Sequence, residues 1–394
     1  MGLVASCKTA DLVREVAVVS KSASTKSMLP ILSNVLIETT KGGLYLTATD
    51  LTSRLRAFVP GKVTKKGSTT VTIKDLSHLL HQFEQDGQTA FILQDDGRLL
   101  VADGQGTSGA LPVIDPAEMP VRLDPSEWPL VAQIEARVLR DLIERSLPFV
   151  ASDEARPILT GVNVHVTPGK ITFGAADNYV VSGLDGTATS DVDSTAVIPS
   201  VSLKLLRGIT DTGVAVEYRV SGTFINFAFG QYDLTIAGID GQFPKYEQVL
   251  PAYTPWDGEI GSYAITVDRK AFLKALKLAR RDDQIIHVVT GPESVAVKIP
   301  DPHGRQDGVD DTLFAKSIPA TIVPARDEKI GFNPELLVRV LNAISAPTIT
   351  MFRNDAYVAT VYGIDTGDPA SRYAIMPVRL MGQNPSPKEV PDAL

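Results

Sequence analysis

The stretch of sequence that decides the fold occurs twice. "LPILSNVLIETTKGGLYLTATD" covers residues 29–50, and "RPILTGVNVHVTPGKITFGAAD" covers residues 156–177, 127 positions later. Aligned without a gap, the two copies share Pro-Ile-Leu near the start, a glycine in the middle and a final aspartate. A repeat at a fixed spacing is typical of a duplicated structural unit. The sequence therefore predicts at least two copies of one fold.

Amphipathic segments extend the repeat to a third copy. Segments with helical spacing of apolar residues begin at 8, 135 and 268, and a second set begins at 73, 200 and 333. Both sets are separated by 127 and then 133 positions. The stretches between them, such as "AVEYRV" and "TFINFAF", are rich in β-branched and aromatic residues, which favours strands. The sequence predicts an α+β protein of three tandem repeats, each with two helices and antiparallel sheet.

Proline-containing stretches mark the expected borders of the repeats. We expect domains at residues 1–125, 126–253 and 254–380, followed by a polar, proline-rich C-terminal tail at 381–394 that we expect to be flexible.

The overall composition is ordinary for a soluble protein of several domains. The chain has 394 residues, 44% of them hydrophobic, and a single cysteine, Cys7. One cysteine excludes a disulfide framework, and we find neither a signal peptide nor an apolar run long enough for a membrane span. We therefore expect a cytoplasmic protein without a membrane partner.

Positive charge is concentrated in the predicted helices. The segments 8–22, 73–83, 135–149, 200–209, 268–281 and 333–344 together carry 16 Lys and Arg against 8 Asp and Glu, although the whole chain has a net charge of −8. Single helices of this kind are often only solvated faces, and calmodulin-target or membrane-surface helices are further interpretations. Six helices with the same bias at repeated positions favour a shared surface for a phosphate backbone, bound without sequence preference.

Several short motifs do not support an enzyme or another ligand. Gly104–Gly109 spells G-x-G-x-x-G, but "ALPVIDP" follows it and cannot begin the helix that a dinucleotide site needs. Met1-Gly2 with Ser6 matches the N-myristoylation pattern and Cys7 offers a palmitoylation site, but the segment leads directly into the first domain. His78 and His81 lack further metal ligands nearby. We predict no catalytic residues, no metal and no cofactor.

Five stretches, two of them within the repeated sequence, carry a resemblance to a known family. They are "LPILSNVLIE" with "LTATDL", "RPILTGV", "DGQFPKYEQVLP" at 240–251, "KIGFNPELLVRVLNAI" at 329–344 and "YAIMPVRL" at 373–380. In this order the chain resembles the β sliding clamp of bacterial DNA polymerase III as far as Leu380. The resemblance implies a head-to-tail homodimer that forms a ring of six domains. Such a ring encircles double-stranded DNA and acts as a processivity factor in DNA replication.

Two sets of site residues follow. The cations of the helices, together with Lys26 and Arg156 where the family has basic residues near DNA, form the expected DNA-binding set: Arg14, Lys26, Lys74, Arg137, Arg140, Arg156, Lys204, Arg207, Lys270, Lys274, Lys277 and Arg281. The resemblance also implies a hydrophobic cleft between the second and third domains. It would bind short peptides of the DNA polymerase III alpha subunit, the clamp loader and other proteins with clamp-binding motifs. By motif position its residues are Leu159, Asp177, Asn178, Tyr179, Val180, Val181, Pro244, Val249, Ala374, Met376, Pro377, Val378, Arg379 and Leu380.

The chain departs from the family pattern inside this expected cleft. The family usually continues its aspartate with Gly-His-Arg, where this chain has Asn178, Tyr179 and Val180. The strand expected to pair with the neighbouring subunit contains "GQGTSGA" and has few large apolar residues. A specialised clamp paralogue with a different peptide preference, serving repair, a mobile element or drug resistance, is therefore the alternative. A Rossmann-type oxidoreductase is the third and most distant hypothesis.

Overall fold

Six α-helices lie in the part of the chain that the structure, a computed structural model, describes. They are α1 (Thr9–Val19), α2 (Ile73–Leu80), α3 (Ala136–Ser146), α4 (Ser200–Ile209), α5 (Arg269–Leu278) and α6 (Pro334–Ala343). Each falls within one of the six predicted segments, so the predicted helices are confirmed. The structure describes residues 2–24, 26, 28–120, 124–153, 155–211, 213–250, 262–278, 285–300, 312–325, 327–354, 361–378 and 380.

Polar caps fix where two of these helices begin. The hydroxyl of Thr72 accepts a hydrogen bond from the backbone N–H of Asp75 at 3.3 Å, at the start of α2. The side-chain oxygen of Asn333 accepts hydrogen bonds from the N–H groups of Glu335 and Leu336 at the start of α6. Pro334 occupies the first turn of α6, where its missing N–H has no intrahelical partner to lose. Side-chain acceptors at these positions satisfy N–H groups that a helix leaves unpaired.

The described strands number 24, and every pairing between them is antiparallel. In chain order they are β1 (Val4–Lys8), β2 (Asn34–Thr40), β3 (Gly43–Thr49), β4 (Ser53–Lys65), β5 (Ser68–Thr72), β6 (Gln88–Leu93), β7 (Arg98–Ala102), β8 (Ser108–Pro112), β9 (Leu130–Glu135), β10 (Gly161–Thr167), β11 (Lys170–Ala176), β12 (Val180–Thr187), β13 (Ser194–Pro199), β14 (Ala215–Ser221), β15 (Phe224–Phe229), β16 (Tyr232–Ala237), β17 (Ser262–Asp268), β18 (Ile286–Thr290), β19 (Ser294–Pro300), β20 (Thr312–Val323), β21 (Lys329–Phe332), β22 (Thr348–Asn354), β23 (Tyr362–Asp365) and β24 (Ser371–Ile375).

A first compact unit comprises residues 1–137, 188–192 and 201–238. Its 12-stranded sheet follows the order β8-β7-β6-β1-β4-β16-β15-β14-β9, with β3, β2 and β5 branching from β4. Helix α1 packs on this sheet through Leu12, Val16 and Val19, which are buried as the sequence predicts. Strand β8 begins at Ser108, so it contains only the last three residues of "GQGTSGA", and it lies at one end of the strand order.

A second compact unit comprises residues 138–187, 193–200 and 239–394. Its 12-stranded sheet follows the order β13-β10-β11-β12-β24-β23-β22-β17-β20-β19-β18-β21. Helices α5 and α6 pack against each other, and Phe272 and Leu276 of α5 are buried.

The duplicated stretch forms the same hairpin in both units. Strands β2 and β3 pair in the first unit, and β10 and β11 pair in the second unit. Gly42 and Gly169, 127 residues apart, occupy the turns with φ of +84° and +76°. Glycine adopts this left-handed conformation at little cost, which explains why both copies keep it. The repeat in the sequence therefore corresponds to a repeat in structure.

The compact units are not the repeats themselves. Strands β14–β16 of the central repeat belong to the first unit, because β16 pairs with β4. Strands β10–β13 belong to the second unit, because β12 pairs with β24. The domain borders at 125, 253 and 380 stay a prediction. None of the described helices is both long and apolar enough to cross a bilayer.

Candidate peptide cleft and basic helix faces

A cluster of apolar side chains fills one region of the second unit, and we call it the cleft cluster. It contains Leu159, Val181 and Ala374, all predicted for the cleft, with Phe243, Tyr246 and other residues that the sequence did not single out. Val249, also predicted, packs against it. The buried members are Leu159, Ala176, Val181, Val197, Phe243, Tyr246, Leu250 and Ala374.

Two glycines make room for the large side chains of this cluster. A Cβ atom on Gly174 of β11 would overlap the ring of Tyr246, and one on Gly183 of β12 would lie 2.6 Å from Cδ1 of Leu250. Tyr246 therefore packs directly on the backbone of the sheet. Its burial raises the pKa of the phenol above its ordinary value. The ring also meets Phe243 edge to face, with centroids 5.8 Å apart.

The junction of β12 and β24 forms the frame of the cleft. Val180 pairs with Ile375 and Val181 pairs with Ala374. One residue beyond this pairing, the N–H of Met376 donates to the carbonyl of Tyr179 at 2.8 Å. Residues 177–181 and 374–376, far apart in sequence, are thus brought together.

A turn at residues 177–180, which we call the cleft turn, is organised by one carboxylate. Asp177 Oδ1 accepts hydrogen bonds from the N–H groups of Tyr179 at 2.7 Å and Val180 at 2.8 Å. Its Oδ2 accepts from the Arg339 guanidinium of α6. The Asp177 side chain is only 12% exposed and that of Arg339 is 32% exposed. Asp177 therefore positions the turn and connects it to α6, while its own carboxylate is largely covered.

The rim of the cleft presents side chains to solvent. Tyr179 is 56% exposed and Met376 is 37% exposed. Arg156, predicted to contact DNA, donates to Asn178 Oδ1 at 3.4 Å and so lies beside the cleft turn. Exposed apolar side chains around a buried apolar floor suit the binding of short hydrophobic peptide segments.

The last predicted cleft residues, Val378 and Leu380, contact β21 rather than β12. The N–H of Val378 donates to the carbonyl of Gly331 in β21 at 2.8 Å. The side chain of Leu380 also lies against Gly331, where an added Cβ would be 2.7 Å from Leu380 Cδ2. Pro244 and Pro377 are half-buried, and Arg379 lies outside the described residues.

The cations predicted to meet DNA lie mainly on exposed helix surfaces. Lys270, Lys274 and Lys277 of α5 are exposed opposite the buried Phe272 and Leu276, as the stripe in the sequence predicts. Lys26, Lys74, Arg137, Arg156 and Lys204 are also exposed, whereas Arg140 and Arg207 are half-buried. Arg281 lies outside the described residues.

Arg14 differs from the lysines of α5 in having acidic neighbours. Its guanidinium bonds to Glu15 at 2.7 Å and to Asp11 at 3.0 Å. The hydrogen bond to Glu15 raises the pKa of Arg14. These carboxylates offset part of the positive charge that Arg14 presents on α1. No group of three or more potential metal ligands occurs among the described residues.

Comparison with models of protein families shows which family the chain belongs to. Residues 3–124 match the model of the DNA polymerase III beta subunit, N-terminal domain, and residues 133–245 match the model of its central domain. Together these matches cover more than half of the chain. The chain belongs to the DNA polymerase III beta subunit family.

Named relatives of this family are similar over almost the whole chain. The beta sliding clamp of Synechococcus elongatus is 26% identical over 390 residues, which covers 95% of this chain and 98% of the relative. The beta sliding clamp of Escherichia coli K12 is 23% identical over 372 residues, with coverage of 94% and 98%.

Solved structures show the same fold. The Bacillus subtilis DNA polymerase sliding clamp superposes with a TM-score of 0.85 at 22% identity, covering 96% of this chain and 100% of that one. A Pseudomonas aeruginosa sliding clamp, solved with bound griselimycin, gives a TM-score of 0.84 at 21% identity with the same coverage. The predicted clamp fold is confirmed.

Two features of the cleft escaped the sequence interpretation. Phe243 and Tyr246 stand in the quoted stretch "DGQFPKYEQVLP", so their aromatic character was an available signal. The sequence gave no signal for the role of Arg339, because Arg339 is 162 residues from Asp177 and resembles any other basic residue of a helix. In this family member, α6 therefore contributes a residue that supports the cleft turn.

Proposed function

We propose that the protein is a DNA sliding clamp, a processivity factor that encircles duplex DNA and tethers replicative DNA polymerase. The observation that carries the proposal is the cleft turn and cleft cluster in a chain of the DNA polymerase III beta subunit family. The exposed lysines of α5 supply a surface for DNA. Tethering by a closed ring needs little affinity per contact, because the ring leaves DNA only by opening or by reaching an end.

The DNA contact follows from the chemistry of lysine and arginine. Lys270, Lys274 and Lys277 present three cations along one helix face. Such cations bind phosphates without reading the base sequence, and the released counterions drive the association. A clamp needs this lack of preference since it must slide over any sequence.

The client contact follows from the apolar character of the cleft. A peptide that places a leucine or phenylalanine on the cleft cluster removes apolar surface from water, at about 25 cal/mol per Å². Met376 at the rim has a flexible, polarisable side chain that adapts to different peptides. We assign to this cleft the DNA polymerase III alpha subunit, the clamp loader and other proteins with clamp-binding motifs.

Ring closure is assigned to a head-to-tail homodimer with six domains. Strand β8 ends the sheet of the first unit and pairs with β7 on one side. An edge strand carries unpaired N–H and C=O groups that a second subunit can pair. The solution mass, measured by light scattering on a sizing column, should be close to twice 42.3 kDa.

Retention on DNA tests the function directly. The protein, loaded onto nicked circular DNA with a clamp loader and ATP, should stay bound through gel filtration. Cutting the same DNA once with a restriction enzyme should release it, because a ring slides off an end. Equal retention on circular and cut DNA would mean ordinary binding and would contradict a clamp.

A specialised paralogue is the second candidate, favoured by the cleft turn. Tyr179 stands exposed at the rim where the family usually has histidine, and Asn178 contacts Arg156. Binding of a panel of clamp-binding peptides, measured by fluorescence anisotropy, separates the two candidates. A replicative clamp should bind a polymerase peptide best. A specialised clamp should gain affinity for that peptide after Asn178→Gly with Tyr179→His.

A further inference from the structure

Arg145, in the last turn of α3, bonds to a strand that borders the cleft. Its guanidinium donates to the hydroxyl of Tyr373 in β24, from Nη2 at 2.8 Å and from Nε at 3.2 Å. Nη2 also donates to the hydroxyl of Ser371, the first residue of the same strand. Nη1 donates to Asp141 of α3 at 3.0 Å. Within the second unit, Arg145 therefore joins a helix of the central repeat to a strand of the third repeat.

The bonds from Arg145 reach β24 one residue before the cleft. Successive residues of a strand face opposite sides of its sheet. Ala374 belongs to the cleft cluster, whereas the ring of Tyr373 stacks on Phe149 with centroids 5.4 Å apart. The next residue on the side of Ala374 is Met376, at the rim of the cleft. A shift of Tyr373 toward or away from α3 would therefore also move the wall of the cleft.

The hydrogen bonds of the sheet do not oppose such a shift strongly. Strand β24 has five residues, and it pairs with β12 on one side and with the four residues of β23 on the other. Bonds between strands run in the plane of the sheet, so they fix β24 relative to its two neighbours. Its position across that plane depends on the contacts of its two faces. On the face of Tyr373 these contacts are Phe149 and Arg145.

Close packing covers only part of this contact. A cavity of about 160 Å³ lies beside Arg145, and Ser345, Ala346, Thr366 and Tyr373 contribute to its lining. Side chains that border a cavity lack partner atoms on that side and lose the corresponding dispersion contacts. The polar bonds of Arg145 therefore contribute much of what sets the distance between α3 and β24.

The acidic neighbours of Arg145 do not depend on it in the way that β24 does. The side chains of Asp141 and Asp368 are at least half exposed, so water can hydrate both carboxylates if the guanidinium is removed. Tyr373 is fully buried, and its hydroxyl would lose both bonds from the guanidinium. Loss of a partner costs more at a buried polar group than at an exposed one. The removal of Arg145 should therefore affect β24 first.

We propose that Arg145 is a positioning residue of the peptide cleft, which holds β24 at the distance from α3 that places Ala374 and Met376 against a bound peptide. The inference rests on the proposed client role of the cleft. It also gives Arg145 and Arg339 complementary tasks, because Arg339 bonds to the cleft turn before β12 and Arg145 bonds to β24.

The test uses the full chain with Arg145→Met, Tyr373→Phe and the double variant. Tyr373→Phe removes only the hydroxyl and keeps the ring on Phe149, so it gives an answer even if Arg145→Met does not fold. Arg137→Met makes the same change of residue type on an exposed side chain of α3 and is the matched control. Urea unfolding shows whether each variant is folded under the conditions of measurement.

Two measurements report the cleft. Fluorescence anisotropy gives the affinity for the fluorescein-labelled peptide Gly-Ser-Leu-Phe-Ser-Gly, and a peptide with serine in place of leucine and phenylalanine is its control. The carbon-13 methyl resonance of Met376 reports the position of the cleft wall. The resonance of Met119, in the first unit, is the internal reference.

Arg145→Met and Tyr373→Phe should each weaken peptide binding about fivefold, as expected for the loss of a buried hydrogen bond. Both should shift the Met376 resonance and leave that of Met119 in place. The double variant should bind about as weakly as Arg145→Met alone, because the two changes remove the same bond. Arg137→Met should bind like the unchanged protein.

Folded variants with unchanged peptide affinity and an unmoved Met376 resonance would overturn the proposal and leave Arg145 with a structural role only. Losses of affinity that multiply in the double variant would also overturn it, because Arg145 and Tyr373 would then act separately. Failure of the unchanged protein to bind the peptide would contradict the client role of the cleft, whereas the Met376 resonance would still decide whether Arg145 positions β24.

Discussion

Arg339 of α6 donates a hydrogen bond to Asp177, the residue that organises the cleft turn. The two residues are 162 positions apart, so only the folded chain brings them together. Helix α6 belongs to the set of helices that we assign to DNA, whereas the cleft turn belongs to the client site. The pair is therefore a direct hydrogen-bonded ion pair between α6 and the turn that frames the peptide cleft.

Arg339→Ala should weaken client-peptide binding by a few-fold to tenfold. Removal of the guanidinium leaves Asp177 with a largely covered negative charge, which costs about 1–2 kcal/mol at a partly exposed site. Fluorescence anisotropy with a clamp-binding peptide measures the affinity, and thermal unfolding measures the stability. Arg98→Ala is the control, because its ion pair with Asp96 is exposed and contributes little. Equal peptide affinity in both variants would show that α6 does not support the cleft turn.

Replacing Lys270, Lys274 and Lys277 with glutamate should abolish retention on circular DNA at moderate salt. Each lost phosphate contact should also lower the slope of log K against log salt by about 0.9. The fold should survive, because all three side chains are exposed. The triple variant of Lys41, Lys62 and Lys66, exposed outside the helices, carries the same charge change and should retain DNA. Loss of DNA by both triple variants would mean that net charge, not the α5 surface, controls retention.

Gly174→Ala should destabilise the second unit and damage the cleft. The new methyl group would overlap the Tyr246 ring, which the surrounding cluster holds in place. Overpacking of this kind costs about 1–3 kcal/mol. Urea unfolding gives the free energy, and peptide anisotropy reports the cleft. Gly213→Ala is the matched control, since an added Cβ there has no neighbour within 4 Å. A stable Gly174→Ala protein with normal peptide affinity would show that Tyr246 can move without consequence.

The stability of the fold should fall as the pH drops below neutral, and His287 should contribute to this fall. Burial, together with the positive charges of Lys329 and Lys298, lowers the pKa of His287 below its ordinary value of 6.5. The unfolded chain therefore takes up a proton on His287 first as the pH falls. His287 favours the fold fully above the unfolded pKa, and this contribution declines below it.

His287→Gln should accordingly reduce the loss of stability between pH 7.5 and pH 5.5. The midpoint of urea unfolding at the two pH values measures the effect. His78→Gln, on an exposed side chain of α2, makes the same change of residue type and serves as the matched control. An unchanged pH dependence in His287→Gln would contradict the assignment.

Local patterns in the sequence predicted the helices well, because each amphipathic segment places its apolar residues on one face. The exposed lysine stripe of α5 opposite Phe272 and Leu276 is an example. The repeated hairpin could also be predicted from the sequence, because Gly42 and Gly169 mark its turn in the two copies.

The pairings between strands far apart in the chain could not be predicted from local sequence patterns. Strand β16 pairs with β4, and β12 pairs with β24. These pairings divide the central repeat between two compact units. No local spacing encodes these pairings, which depend on edges that meet only after folding. The positive φ of Leu51 was equally hidden, because leucine gives no sign of a left-handed backbone. The DNA-binding and cleft residues named from the sequence stay predictions until they are tested.

The carboxylates of Asp50 and Asp177 each hold their turn from its first position, through bonds to the backbone N–H groups of the second and third residues that follow. In the first turn the hydroxyl of Thr52 adds a further bond to Asp50 Oδ1 at 2.9 Å. The residue after the aspartate differs in backbone as well as in side chain, since Leu51 has φ of +78° and Asn178 does not have positive φ, yet both turns keep the bonds to the carboxylate. Evolution, or an engineer, can rewrite the partners of such a ring two residues at a time while its architecture stays constant.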